Sequence, residues 1–241
     1  MSTRPLCVAH RGLWRTHDEN TLPAFRAAID AGCDMIELDV HETADGRLIV
    51  FHDDAWSPQH PPWTALPYAA VRDLAQGTER APLFEDVLAA VGPVPLDIEV
   101  KTLRDAPAFV RFLEAHPPAR GSFVSSGTWS TLAQLRAAAL PWPLWPVVSI
   151  GRERSFADNA RNALVCRAPW APPAWLAGIA IHDALLTAPL VRRMHEHGRT
   201  VQVWTVNDPE RWDELTAWGV DGIITNDVDR LVERRKQTGP G

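Results

Sequence analysis

The sequence lacks the features that mark several common protein classes. Its 241 residues include only three cysteines, an odd number without a C-x-x-C pair. This pattern argues against a disulfide scaffold or a zinc knuckle and is typical of a reducing compartment. No stretch approaches the ~20 apolar residues of a membrane span. The first 20 residues carry arginines but no apolar segment, so no signal peptide is predicted. We therefore expect a cytoplasmic protein without stable membrane insertion.

Other absences narrow the functional class. The chain has 24 basic and 30 acidic residues, a net charge of -6, so a general nucleic-acid-binding surface is not expected. Neither G-x-G-x-x-G nor G-x-x-x-x-G-K-[ST] occurs, although a doubly wound nucleotide-binding sheet would usually carry such a turn. Ser125 and Ser126 lack a G-x-S-x-G elbow, which argues against serine hydrolysis.

Short apolar runs alternate with helical patterns along the chain. The first apolar run ends at His10, and the helix after it is capped by Asn20 or Thr21 and stopped by Gly32. An Asp-Gly turn between two later runs predicts a β-hairpin. With this hairpin counted as one position, eight strand–helix units predict an α/β fold, a closed (β/α)8 TIM barrel. An open doubly wound sheet is the alternative.

The length and the 46% hydrophobic content suit one large domain. We predict a single TIM-barrel domain over residues 1–241, with its core at about 5–232. The β-hairpin lies at strand 2, and a short insertion at about 53–82 precedes strand 3. The Pro-rich part of this insertion, 56–67, is expected to be a loop over the mouth of the barrel.

Two carboxylates interrupt the apolar run IELDV. Glu37 and Asp39 are two residues apart, so on a strand they share one face, where buried like charges repel. Glu99 follows on the next predicted strand. Three carboxylates that converge from two strands favour a hard divalent cation, Mg²⁺ or Ca²⁺, which would remove the repulsion.

Basic and titratable side chains accompany these carboxylates at the predicted strand ends. Arg11 and Lys101, with a divalent cation and the three carboxylates, leave one net positive charge. A phosphodiester monoanion would neutralise it. His10 and His52 have the ordinary pKa range needed for proton transfer near neutral pH. The residues therefore indicate a small phosphodiester as partner.

The motifs AHRG, ENT, IELDVHETADGRLIVFHD, LDIEVK and VWTVNDPERWDELTAWGVDGIITN follow in this order over residues 8–227. In combination they resemble the glycerophosphodiester phosphodiesterase family. The resemblance implies a TIM barrel and metal-dependent cleavage of a phosphodiester. It also implies roles for seven side chains: an acid–base pair, His10 and His52; metal ligands, Glu37, Asp39 and Glu99; and phosphate contacts, Arg11 and Lys101.

Further candidates lie near these motifs. Trp204 is a candidate for substrate contact in the pocket, with a place in the core as the alternative. His182, at a strand end, is a candidate to lie behind the pocket or to touch substrate. Glu19 is expected to order the loop behind the site. His41 shares the face of the two carboxylates, and we expect it in the turn, at the solvent rim.

Three functions fit these residues. The first is hydrolysis of glycerophosphodiesters, such as glycerophosphocholine, to glycerol 3-phosphate and an alcohol. The second is a lysophospholipase D-like reaction, for which the Trp- and Pro-rich loop 56–67 would provide an apolar entry. The third is a barrel that binds a phosphorylated ligand without turnover, which the histidine pair disfavours. Which histidine is the acid, whether the nucleophile is water or a substrate hydroxyl, and the oligomeric state stay open.

Overall fold

The structure is a computed structural model, and it describes residues 4–15, 17–152, 154–167 and 170–237. In these residues nine strands form one sheet. The strands are β1 (Leu6–His10), β2 (Met35–Glu42), β3 (Leu48–Val50), β4 (Leu96–Thr102), β5 (Phe123–Ser126), β6 (Leu144–Val148), β7 (Gly178–His182), β8 (Thr200–Trp204) and β9 (Gly222–Thr225).

Helices follow the strands along the described chain and pack outside the sheet. They are α1 (Leu22–Ala31), α2 (Tyr68–Leu74), α3 (Phe84–Val91), α4 (Ala106–Ala115), α5 (Trp129–Ala137), α6 (Phe156–Val165), α7 (Ala188–Glu196), α8 (Pro209–Trp218) and α9 (Val228–Gln237). Within the described ranges, none of them has the length and apolar character to cross a membrane.

The sheet closes into a barrel. Its order is β1-β9-β8-β7-β6-β5-β4-β2-β3, and β1 also pairs with β2 in parallel. The eight parallel strands form the ring, and β3 lies outside it, antiparallel to β2. The predicted (β/α)8 barrel with a hairpin at strand 2 is thus confirmed. In such barrels the carboxyl ends of the strands carry the active site.

The residues that cap α1 determine which side chains before the helix can reach the site. Thr21, not Asn20, caps the helix, because the Thr21 hydroxyl accepts a hydrogen bond from the backbone N–H of Ala24 at 3.4 Å. Gly32 ends the helix in the left-handed conformation, as expected. The Asn20 side chain is therefore free to turn inward.

The insertion at 53–82 is more regular than the sequence predicts. It contains a short 3-10 turn (Trp63–Ala65) and α2, and it builds a small apolar cluster against the hairpin. Trp63 is fully buried, and its indole N–H donates to the carbonyl of Asp53 at 2.7 Å. Trp56 stacks on Phe51 at 5.9 Å. The aromatic side chains thus stabilise the insertion itself, and an apolar entry formed by this loop stays a prediction.

Candidate active site

The polar side chains predicted at the strand ends meet at one end of the barrel. They surround a cavity of about 180 Å³. The predicted residues that line it are His10, Arg11, Glu37, His52, Glu99, Lys101 and Trp204. Asp39 is fully buried next to them. One cavity thus collects the predicted acid–base, phosphate-binding and metal-ligating side chains.

Three carboxylates lie together in this cavity because of strand register. β2 and β4 pair so that Asp39 stands opposite Glu99, with Glu37 one pleat earlier on β2. One oxygen from each lies within 4.8 Å of the others. Burial and the charge of Asp39 raise the pKa of Glu37 well above its usual range. Such crowding is relieved by a divalent cation, so the donor set fits Mg²⁺ or Ca²⁺.

Asp39 has the densest set of partners in the site. The Asn20 amide donates to its Oδ2 at 2.8 Å, and Arg11 Nε lies 3.2 Å from the same oxygen. Lys101 Nζ lies 3.4 Å from Oδ1. Burial opposes ionisation, but Lys101 and Arg11 outweigh it and hold the pKa of Asp39 well below its usual range. Sequence reasoning missed Asn20 because a capping role already explained it.

Arg11 is held by its backbone and by Glu19. Its φ of +58° is left-handed, a strained conformation for a non-glycine residue that is found preferentially at functional sites. Its backbone N–H donates to the Glu37 carbonyl at 2.9 Å, and Nη1 donates to both Glu19 oxygens at 3.1 Å. A Cβ at Gly12 would lie 2.7 Å from the Ala24 carbonyl carbon, so only glycine fits there. Glu19 thus fixes the Arg11 side chain, and its role in ordering this loop stays a prediction.

His10 is a neutral imidazole at neutral pH. Its Nδ1 lies 2.7 Å from Asn226 Oδ1, an arrangement that places the ring proton on Nδ1 and leaves the Nε2 lone pair free. Nε2 lies 4.0 Å from Glu37 Oε2. Burial, and secondarily the charge of Arg11, lowers the pKa of His10 to about 4. This geometry suits a proton acceptor.

His52 reaches the same cavity from the hairpin. It follows β3, and its Nδ1 lies 2.7 Å from Asp53 Oδ1. Its side chain is about one-third exposed (34%), more than that of His10 (14%). His52 therefore stands at the solvent side of the cavity and His10 at the inner side.

The expectation that His41 lies at the solvent rim is wrong. β2 continues through Glu42, so His41 sits between β3 and β4 and has no exposed surface. Its Nδ1 lies 3.0 Å from the Thr102 hydroxyl, and its Nε2 lies 3.3 Å from the carbonyl oxygen of His52. Nε2–H must therefore donate to that carbonyl, and His41 holds the backbone that carries His52.

His41 is expected to make the fold acid-sensitive. Burial lowers its pKa from 6.5 to about 4, although the His52 carbonyl, Asp39 and Asp54 oppose this and Lys101 adds to it. Between pH 6.5 and about 4, His41 is protonated in the unfolded chain but not in the folded protein, so the free energy of unfolding falls as the pH falls. The loss over this window is about 3 kcal/mol. Urea unfolding at neutral pH and near pH 4 measures it.

The matched substitution is His41→Gln, which keeps one donor and one acceptor but does not titrate. Its unfolding free energy should depend less steeply on pH than that of the wild type. His197→Gln, at an exposed position, should leave the slope unchanged. Equal slopes for all three proteins would contradict the burial argument.

Asp97 and Ser125 also line the cavity, although neither was predicted as a site residue. Asp97 accepts a hydrogen bond from the Ser125 hydroxyl at 2.5 Å, and burial raises its pKa to about 8. Burial thus favours the neutral form of Asp97 over a fourth negative charge in the cavity. The indole N–H of Trp204 is buried without a hydrogen-bond partner among the described residues. His182 packs edge-on against Trp204, with ring centroids 5.0 Å apart, and is not one of the residues that line the cavity.

An outer groove of about 500 Å³ adjoins the cavity. His52 and Lys101 line both spaces. So does Arg154, which the sequence analysis did not single out. Arg154 donates from Nε to the Ser149 hydroxyl and from Nη1 to the Gly127 carbonyl, each at 2.5 Å. A substrate in the cavity can therefore extend past His52 into the groove.

A (β/α)8 barrel with this pocket defines a phosphoric diester hydrolase. The chain belongs to the glycerophosphoryl diester phosphodiesterase family, whose model matches residues 10–230.

Relatives and solved structures agree with this assignment. The chain is 28% identical to "Probable glycerophosphodiester phosphodiesterase 2" of Mycobacterium tuberculosis, over 94% of this chain and 89% of that protein. It is 26% identical to the glycerophosphodiester phosphodiesterase of Caldanaerobacter subterraneus, over 98% and 100%. An Oleispira antarctica phosphodiesterase, solved with its product sn-glycerol-3-phosphate, shares the fold with a TM-score of 0.75 and 20% identity, over 96% and 97%.

Proposed function

We propose that the protein hydrolyses glycerophosphodiesters to glycerol 3-phosphate and an alcohol, with one divalent cation and two histidines. The observation that carries this proposal is the convergence on one cavity of His10, His52, the two basic side chains and the carboxylate cluster. The named activity of the relatives supports the substrate class. Cytoplasmic location stays a prediction.

The metal ligands in this proposal are Glu37, Asp39 and Glu99. Asp39 Oδ1 is buried and accepts no hydrogen bond from the described residues, although Lys101 Nζ lies 3.4 Å away, so this oxygen is available to a cation. A bound Mg²⁺ or Ca²⁺ would act as a Lewis acid on the phosphoryl group and offset the charge that develops on it.

Arg11 and Lys101 are the proposed phosphate contacts. Both now face Asp39, and nearby carboxylates, outweighing burial, raise the pKa of each. They therefore stay charged in the pocket. With the carboxylates engaged by a cation, their N–H groups would donate to the nonbridging oxygens and stabilise charge that grows in the transition state.

The histidines divide the proton transfers. His10 Nε2, unprotonated at neutral pH, takes the proton from the attacking hydroxyl of water or of the substrate. Attack by water gives glycerol 3-phosphate directly, whereas attack by a substrate hydroxyl gives a cyclic phosphodiester that a second molecule of water must open. His52, at the outer side and beside Asp53, gives a proton to the oxygen of the leaving alcohol. The alcohol then departs into the outer groove, which His52 also lines.

The test is hydrolysis of glycerophosphocholine by the purified protein, first with EDTA and then with Mg²⁺, Ca²⁺ or Mn²⁺ restored. We expect metal-dependent release of glycerol phosphate and choline. Release of phosphocholine would support the proposed site but would show that the enzyme cleaves the bond between glycerol and phosphate. No turnover with any metal, while bis-(p-nitrophenyl) phosphate is still cleaved, would refute the substrate and retain the chemistry.

A further inference from the structure

Exposed apolar side chains concentrate on one part of the surface. In the described residues, four large apolar side chains are exposed, and three of them are Ile150 (51%), Phe156 (89%) and Leu164 (55%). Single exposed apolar residues are ordinary, but a group on one element marks an interaction surface. We call the described residues 150–152 and 154–167, which contain α6 and the chain on either side of it, the rim surface.

α6 is fixed with its apolar face outward. Its buried side includes the polar Asn162, whose Oδ1 accepts from the Trp129 indole at 2.8 Å and whose amide donates to the Ser149 carbonyl at 2.8 Å. Phe156 and Leu164 are eight residues apart and lie on the opposite side, with small exposed alanines between them. Rotation of the helix to bury Phe156 would break the Asn162 bonds, so the exposure is built into the packing.

Among the described residues of the rim surface, the exposed charged side chains are positive, although the whole chain carries -6. Arg152, Arg161 and Arg167 are exposed. The half-buried Asp158 is engaged internally, because it accepts hydrogen bonds from the Trp129 backbone N–H at 3.1 Å and from the Ser155 hydroxyl at 2.6 Å. The described part of this surface therefore combines apolar side chains with a positive local charge.

The rim surface adjoins the active site. Arg154 and Ser155, within it, line the outer groove that also holds His52 and Lys101. Phe156 directly follows Ser155 in the chain, so a surface that contacts Phe156 lies beside the outer groove.

We propose that the rim surface docks on an anionic lipid bilayer and presents the groove to phosphodiesters at that surface. Phe156 and Leu164 would enter the boundary between headgroups and acyl chains, and the arginines would contact lipid phosphates. Contact with a second copy is disfavoured, because a two-fold interface would bring two copies of this positive surface together. Docking itself does not depend on the proposed function; only the use of the groove for lipid-borne substrates does.

The test is co-sedimentation of the full chain with phosphatidylcholine vesicles, with and without phosphatidylglycerol. We expect binding only with phosphatidylglycerol, weakened by salt. Phe156→Ser should weaken binding by about tenfold or more, through lost apolar burial. Arg161→Gln should weaken it by roughly fivefold. Arg111→Gln, an exposed arginine on α4, is the matched control and should bind like the wild type.

Both rim variants should retain wild-type hydrolysis of soluble glycerophosphocholine. The proposal is overturned if the wild type stays in the supernatant with anionic vesicles, or if Phe156→Ser sediments like the wild type. Self-association without lipid that Phe156→Ser abolishes, seen by sedimentation velocity, would also overturn it. Failure to hydrolyse glycerophosphocholine would count against the proposed function and leave the vesicle result intact.

Discussion

His10→Ala is expected to lower kcat by about 10²–10⁴-fold while the barrel stays folded, because a positioned general base contributes on that order. The native ring has its proton on Nδ1, toward Asn226, and its lone pair on Nε2, toward the cavity. Alanine removes the acceptor but breaks only one hydrogen bond. Steady-state kinetics with glycerophosphocholine, together with the melting temperature, measure the two effects separately.

His195→Ala is the matched control. Like His10, His195 is hydrogen-bonded, to Asp221 at 2.9 Å, but it lies on the exposed end of α7 and does not line the cavity. It should keep wild-type kcat. His52→Ala should lose activity on the same scale as His10→Ala. Wild-type turnover in either active-site variant would show that its assigned role is wrong.

The pH dependence gives an independent check on His10. A base must be unprotonated to work, and burial lowers the pKa of His10 from 6.5 to about 4. The acid-side loss of kcat/KM assigned to His10 should therefore lie near pH 4. An acid limb near 6.5 would mean that another group is the base. Melting curves over the same range distinguish loss of catalysis from the acid unfolding expected of His41.

The features that sequence predicts here follow from strong periodic signals. Alternating strand and helix patterns give the barrel, and the Asp-Gly turn gives the hairpin that brings His52 to Glu37. The carboxylate pair stands out because charge inside an apolar run needs a reason. Each of these features belongs to a single strand, helix or turn, and local sequence determines such elements and where they end.

What sequence reasoning misses depends on tertiary contacts. His41 looks like a turn residue, but the pairing of β2 with β3 and β4 extends past it. Asn20 is explained by capping until Thr21 takes that role and leaves its amide for Asp39. The outward-facing apolar side chains of α6 are missed because periodicity assumes that apolar residues face inward, whereas the buried side of α6 holds the polar Asn162 beside Val165.

Removal of the proposed divalent cation is expected to cost about 4 kcal/mol of transition-state stabilisation, or about 10³-fold in rate. Asp39→Asn should have a comparable effect, because it removes one of three proposed ligand carboxylates and preserves side-chain shape.

Metal binding can be measured without catalysis. At about 100 times its Kd, a bound ion stabilises the fold by about 2.7 kcal/mol, which for a chain of this size raises the melting temperature by roughly 5–10 °C.

The comparison that tests the site is the metal-induced shift in melting temperature, not the melting temperature itself. The wild type should show the shift, and Asp39→Asn should show little of it at the same metal concentration. Glu114→Gln, which removes an exposed carboxylate on α4, should behave like the wild type. Equal shifts in all three proteins would mean that the ion binds elsewhere. Lys101 and Arg11 already balance the charge of Asp39. The burial of Glu37, whose charge Asp39 repels, would then need another explanation.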